Sequence, residues 1–77
     1  MEIKDFIEKF CEAVEVENPE TVNADTDFHN LDEWSSLAAL SIIAMVDDEY
    51  DVVIKGDDIR NSDTIEDLFN AVKSKAE

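Results

Sequence analysis

Leu31-Asp32-Glu33-Trp34-Ser35-Ser36-Leu37 opens a run that reaches Val46 with Ser41 as its one polar residue after Ser36; Asp47, Asp48, Glu49 and Asp51 then close it. The run is predicted to form a helix from Ser35 or Ser36 to about Tyr50 or Asp51, apolar around most of its circumference. Ile42, Ile43, Val46 and Tyr50, near Ala39, make one stripe suited to a core. Leu37, Leu40 and Ala44 make another, beside Ser41, Asp47 and Asp48. A helix in a three-helix bundle needs one buried face. A second apolar stripe edged by carboxylates therefore reads as a docking surface for a partner, the competing reading being burial between two neighbours.

Ser35 is placed to cap this helix, its hydroxyl accepting an otherwise unpaired N–H of the first turn. Trp34, just before the cap, could pack on Ala39 as a hydrophobic staple. Upstream, Ile3, Phe6, Ile7, Phe10, Cys11 and Val14 recur at helical spacing and mark an amphipathic first helix, expected to fade near Val16 and end at Asn18-Pro19. Residues 17–34 form a long connection. Val22, Phe28 and Leu31 are spaced to pin it to the core, and Asn and Asp residues between them supply turn chemistry.

Val52-Val53-Ile54 has strand-like composition but no second strand to pair with, so it reads as an extended connector. Gly56, the sole glycine, is expected to supply a turn before a short helix around Asp57–Arg60. A final helix is capped by Asp63 or Thr64, buries Ile65, Leu68, Phe69 and Val72, and ends with Lys73 and Lys75 against its negative pole. The expected fold is all-α: a small bundle of three main helices plus one short helix, with a long first loop, as one domain over residues 1–77.

The net charge is −15, from 21 acidic and 6 basic residues, and no Lys or Arg falls between Lys9 and Lys55. Nucleic acid and anionic membranes are poor partners for such a surface; basic patches on other proteins are good ones. No stretch is apolar enough to span a membrane and no signal peptide is visible, which points to a soluble, cytoplasmic protein; a monomer is expected. The single cysteine, Cys11, on an apolar face without a flanking cation, reads as a buried, inert thiol.

Catalysis finds little support. His29 is the only histidine, and although it could pair with Ser36, no oxyanion device accompanies them. Asp47, Asp48, Glu49 and Asp51 lack the alternating ligands and turn glycine of a calcium loop, so no metal site is expected. Ser36 invites a different reading. The free N–H groups and positive dipole end of a helix favour an attached phosphate there, even in an acidic chain. The plainer alternative is that Ser35 and Ser36 only cap the helix.

Taken together, these residues resemble the acyl carrier protein family, carriers of a 4′-phosphopantetheine arm. The resemblance runs along nearly the whole chain: the first helix, the loop with Phe28 and Leu31, the serine-headed helix ending Asp47-Asp48-Glu49-Tyr50-Asp51, and Thr64-Ile65-Glu66-Asp67-Leu68-Phe69. Trp34 before the motif is also familiar in the family. The family's central motif is Asp-Ser-Leu, and here it is Ser35-Ser36-Leu37. The resemblance implies that Ser36 receives the arm and that Leu37, Leu40, Ala44, Asp47 and Asp48 dock on partners. Those partners would be a phosphopantetheinyl transferase and acyl-loading, acyl-transfer or synthase enzymes with basic patches. It also implies a non-catalytic carrier of acyl or aminoacyl thioesters for fatty acid, polyketide, peptide or specialised lipid synthesis. Ser35 stands where the family usually has aspartate, and Ser41 where many fatty-acid carriers have glutamate. The other reading of the same fold is an unmodified acidic adaptor.

Overall fold

The computed structural model describes residues 2–76. Among them the elements are α1 (Ile3–Val14), α2 (Ser36–Tyr50), α3 (Gly56–Arg60) and α4 (Ile65–Ala76), with short 3₁₀ turns at Pro19–Thr21 and Phe28–Asn30. This is the expected all-α bundle of three main helices and one short one. α1 packs on α2 and α4, and α3 bridges α2 and α4. No helix among the described residues is long and apolar enough to cross a membrane.

The core is built by the faces that periodicity marks. Phe6, Phe10, Cys11 and Val14 are buried on α1, Ala38, Ile42 and Val46 on α2, and Ile65, Leu68, Phe69 and Val72 on α4. Ala38, Ile42 and Val46 are four residues apart, so they stack on one line of α2. Ile43 and Tyr50, assigned to the core stripe, are half-buried at its margin, as is Ala39.

The first loop is pinned as expected: Val22 and Phe28 are buried and Leu31 is half-buried. It is also tied to α4. Thr26 and Ala24 carbonyls accept the Ile65 and Glu66 N–H groups at 3.1 and 2.9 Å, satisfying donors that a helix start leaves unpaired. Thr64 is the cap there: its Oγ1 accepts the Asp67 N–H at 3.2 Å, and the Asp67 carboxylate accepts the Thr64 N–H at 3.2 Å. This is the reciprocal arrangement of a capping box.

Two details correct the expectations. α1 stops at Val14, before Asn18-Pro19, because Glu15 takes the left-handed conformation (φ 60°). The Val16 N–H then reaches the Cys11 carbonyl (3.0 Å) and the Glu15 N–H reaches Glu12 (3.3 Å), the pair of bonds that ends a helix in a Schellman motif. Gly56 does not make a turn: it is the first residue of α3, and its φ is not positive. Among the described residues the left-handed ones are Glu15 and Asp51, each just past a helix. Between α2 and α3, Val52 and Ile54 point inward (5% and 2% exposed) and Val53 outward (69%), the alternation of an extended connector.

An aromatic chain links α1, the loop and the entry to α2. Phe10 meets Phe28 edge-on at 5.6 Å, Phe28 meets Trp34 at 4.9 Å, and Trp34 lies parallel to Phe10 at 6.2 Å. These are favourable aromatic geometries. Trp34 is thus held from α1 and the loop, and with Ala39 it borders the groove described next.

Candidate functional site

The start of α2 follows from its two serines. Ser35 is extended (φ −159°, ψ 176°), and its Oγ accepts the Ala38 N–H at 3.2 Å. Capping is therefore the role of Ser35. Ser36 is the first helical residue, and it is exposed. The first turn of α2 holds no acidic residue, so the positive dipole end at Ser36 is not offset by a carboxylate of its own turn.

Ser36 opens onto a groove of about 580 Å³. The apolar lining comes from Trp34, Ala39, Leu40, Ile43 and Ile59; Ser35, Ser36 and Gly56 add little bulk. His29 and Arg60 complete it. The imidazole Nδ1 of His29 is 3.7 Å from Asp27, and Nη1 of Arg60 is 3.1 Å from Asp57. His29 and Ser36, weighed as a catalytic pair, share this groove.

The second apolar stripe of α2 faces solvent. Leu37 is 75% exposed and Leu40 61%, so burial between neighbours does not explain them. Ala44, Asp47 and Asp48 are also exposed. The residues assigned to docking share one helix but not one concavity. Leu40 belongs with Ser36 to the groove, whereas Ala44, Asp47 and Asp48 line a separate acidic hollow with Ser41 and with Ala13 of α1.

Elsewhere, Cys11 is buried, and burial pushes its thiol above the ordinary 9.0, away from thiolate reactivity. Among the described residues no His, Cys, Asp and Glu side chains cluster as a metal site. From the sequence, His29 is a candidate only as a catalytic partner of Ser36, and Arg60 only as the end of the short helix. Their signal was scarcity: each is the only residue of its type in the chain.

A helical bundle with an exposed serine at the head of α2, beside a largely apolar groove, is the arrangement that the resemblance to carrier proteins led us to expect. The comparison with protein families agrees: the model of the family described as "phosphopantetheine attachment site" matches residues 4–72. The chain belongs to this family of carrier proteins, whose cofactor is a covalently attached 4′-phosphopantetheine. No curated protein and no solved structure matches it. The residues present fit the group, since the helix start favours its phosphodiester and the groove offers apolar surface to the rest.

Proposed function

We propose that Ser36 is the attachment residue and that residues 1–77 act as one carrier domain for acyl or aminoacyl intermediates in fatty acid or related synthesis. The observation that carries this reading is Ser36 itself, exposed at the start of α2 and opening onto the groove. Ser35 is committed to the Ala38 amide, which leaves Ser36 as the displayed hydroxyl of the pair. Attachment would form a P–O bond between Ser36 Oγ and the pantetheine-side phosphorus of coenzyme A as the pyrophosphate P–O bond breaks; the hydroxyl proton passes to the transferase and the nucleotide leaves with the other phosphate. When bound, the arm supplies a terminal thiol that holds the cargo as a thioester.

The protein's own part is presentation. The cap at Ser35 sets where the helix, and with it the arm, begins, and the groove offers apolar surface beside it. Leu37 and Leu40, exposed along α2, supply apolar contact to transferases and synthases, and Asp47 and Asp48 steer basic patches toward them. Such a carrier works in the cytoplasm as a monomer, and its chemistry resides in its partner enzymes.

The test is to incubate the chain with coenzyme A and a broad-specificity phosphopantetheinyl transferase, then compare intact masses with Ser36→Ala. The expected result is one arm on the native chain and none on the variant. An unchanged native mass would favour the unmodified adaptor. If Ser35→Asp then gained the arm, the substituted motif would be the cause.

A further inference from the structure

The groove beside Ser36 is the exceptional surface of this molecule electrostatically. The chain has 21 acidic residues, yet among the described residues no carboxylate lines this groove, which holds the only arginine and the only histidine. The other hollows are acidic: Asp47 and Asp48 line one, Glu8, Glu12 and Glu15 another, and Glu17, Asp32 and Glu33 a third.

Of the carboxylates nearest to the groove in sequence, three engage groups outside it and two, Asp27 and Asp57, pair with groove residues. Asp32 and Glu33 belong to the hollow at the end of α1, where Glu33 accepts the Glu17 N–H at 3.1 Å. On α3, Asp58 accepts the Lys55 N–H at 2.9 Å and lies 3.5 Å from the Lys75 ammonium. Asp57 faces Arg60.

Resting on the carrier reading, we infer that Arg60, assisted by His29, holds the phosphodiester of the arm, which lies across the groove toward α3 and away from Asp47 and Asp48. A tethered anion on a chain of charge −15 is repelled by most of the surface within its reach. No carboxylate lines the groove, and the Arg60 guanidinium stands at it. Arg60 can make the exchange readily. Its side chain is 79% exposed and its contact to Asp57 is a surface pair, a kind worth little to stability. A guanidinium presents several donors in a rigid fork that matches the two free oxygens of a phosphodiester. Ile59 and Ile43 then offer apolar surface to the arm beyond its phosphate.

The experiment compares amide NMR spectra of the chain before and after arm attachment, with the phosphorus signal of the loaded form. Attachment is expected to shift Leu37 and Ala38, next to Ser36, and also Gly56, Ile59 and the Arg60 side chain on α3. Arg60→Gln should lose the α3 shifts, keep those at Leu37 and Ala38, and narrow the phosphorus line as the arm is freed. Lys73→Gln, in the last turn of α4, should change none of this. Shifts confined to Leu37 and Ala38 in the native chain, or α3 shifts that persist in Arg60→Gln, would overturn the inference while leaving the carrier reading intact. A chain that gains no arm mass overturns both.

Discussion

The hydroxyl of Ser35 accepts the backbone N–H of Ala38 at 3.2 Å, so one serine of the pair holds the helix while its neighbour is displayed. Ser35→Ala should cost about 1 kcal/mol, the usual loss for an N-cap. For a domain of this size that lowers Tm by roughly 4–8 °C. Ser35→Asp should keep the cap and add a charge favourable at the positive end of α2, so its Tm should equal or exceed the native value. Thermal unfolding of the two variants checks both directions.

Leu37 and Leu40 should be nearly silent in stability. Each is largely exposed, so changing either to Ala is expected to stay within about 0.5 kcal/mol in urea unfolding. Ile42→Ala, from the fully buried line of the same helix, should cost about 2–5 kcal/mol. Rates of arm attachment should show the reverse ranking, falling for Leu37→Ala and Leu40→Ala at unchanged fold. A stability loss at Leu40 close to that at Ile42 would remove it from the docking face.

Tyr50 carries a hydroxyl buried with no hydrogen-bond partner among the described residues; its ring centre lies 6.0 Å from that of Phe6 and 5.8 Å from the Lys9 ammonium. An unsatisfied buried polar group is destabilising. Tyr50→Phe keeps the ring and is expected to stabilise the chain by up to about 1 kcal/mol, read from the urea midpoint. A clear loss would mean that the hydroxyl is satisfied in solution.

Alkaline pH should weaken the fold. Burial raises the Cys11 thiol above 9.0; burial, with Asp5 and Glu49 adding to it, raises the Tyr50 hydroxyl above 10.0. A raised value means that the folded chain keeps its proton longer than the unfolded chain. The associated stability is therefore complete below about pH 9, where both groups are neutral in either state. It is lost as pH climbs through the unfolded values toward the raised folded ones. Denaturant midpoints across this range should fall less in a Cys11→Ala, Tyr50→Phe double variant than in the native chain.

Salt should do the opposite. At about 0.01 M the screening length is roughly 30 Å, and at about 0.15 M it is roughly 8 Å. The molecule measures 31 × 24 × 20 Å, so at low salt its excess carboxylates repel across its whole width. Tm is expected to rise over this interval, and to rise further with divalent cations. Indifference to both would contradict the account of the surface.

The helices were legible because their apolar spacing is regular and their caps are chemically plain: Ser35 and Thr64 each accept the N–H expected of a cap. The exposed stripe was legible for a simpler reason, since α2 has more apolar residues than one buried face can use. Trp34 was less so. Its ring is fixed by Phe10 and Phe28, and a contact between α1 and a loop more than twenty residues away leaves no periodic trace. The end of α1 escaped for a different reason, because glutamate rarely takes the left-handed conformation that Glu15 adopts. Arg60 joins Ser36 at one groove only through the packing of α3 on α2, which the sequence of either helix does not encode alone.

The last turn of α2 gathers Asp47, Asp48 and Glu49 and holds no basic residue. These charges stand at the negative end of the helix dipole and beside one another, an unfavourable field in the free chain. A cationic partner seated there would relieve it, and whatever binds the folded form alone shifts the unfolding equilibrium by mass action. Docking there would thereby be linked to folding. On the proposed docking at Asp47 and Asp48, the carrier would be least stable while free and most stable while a partner enzyme holds it.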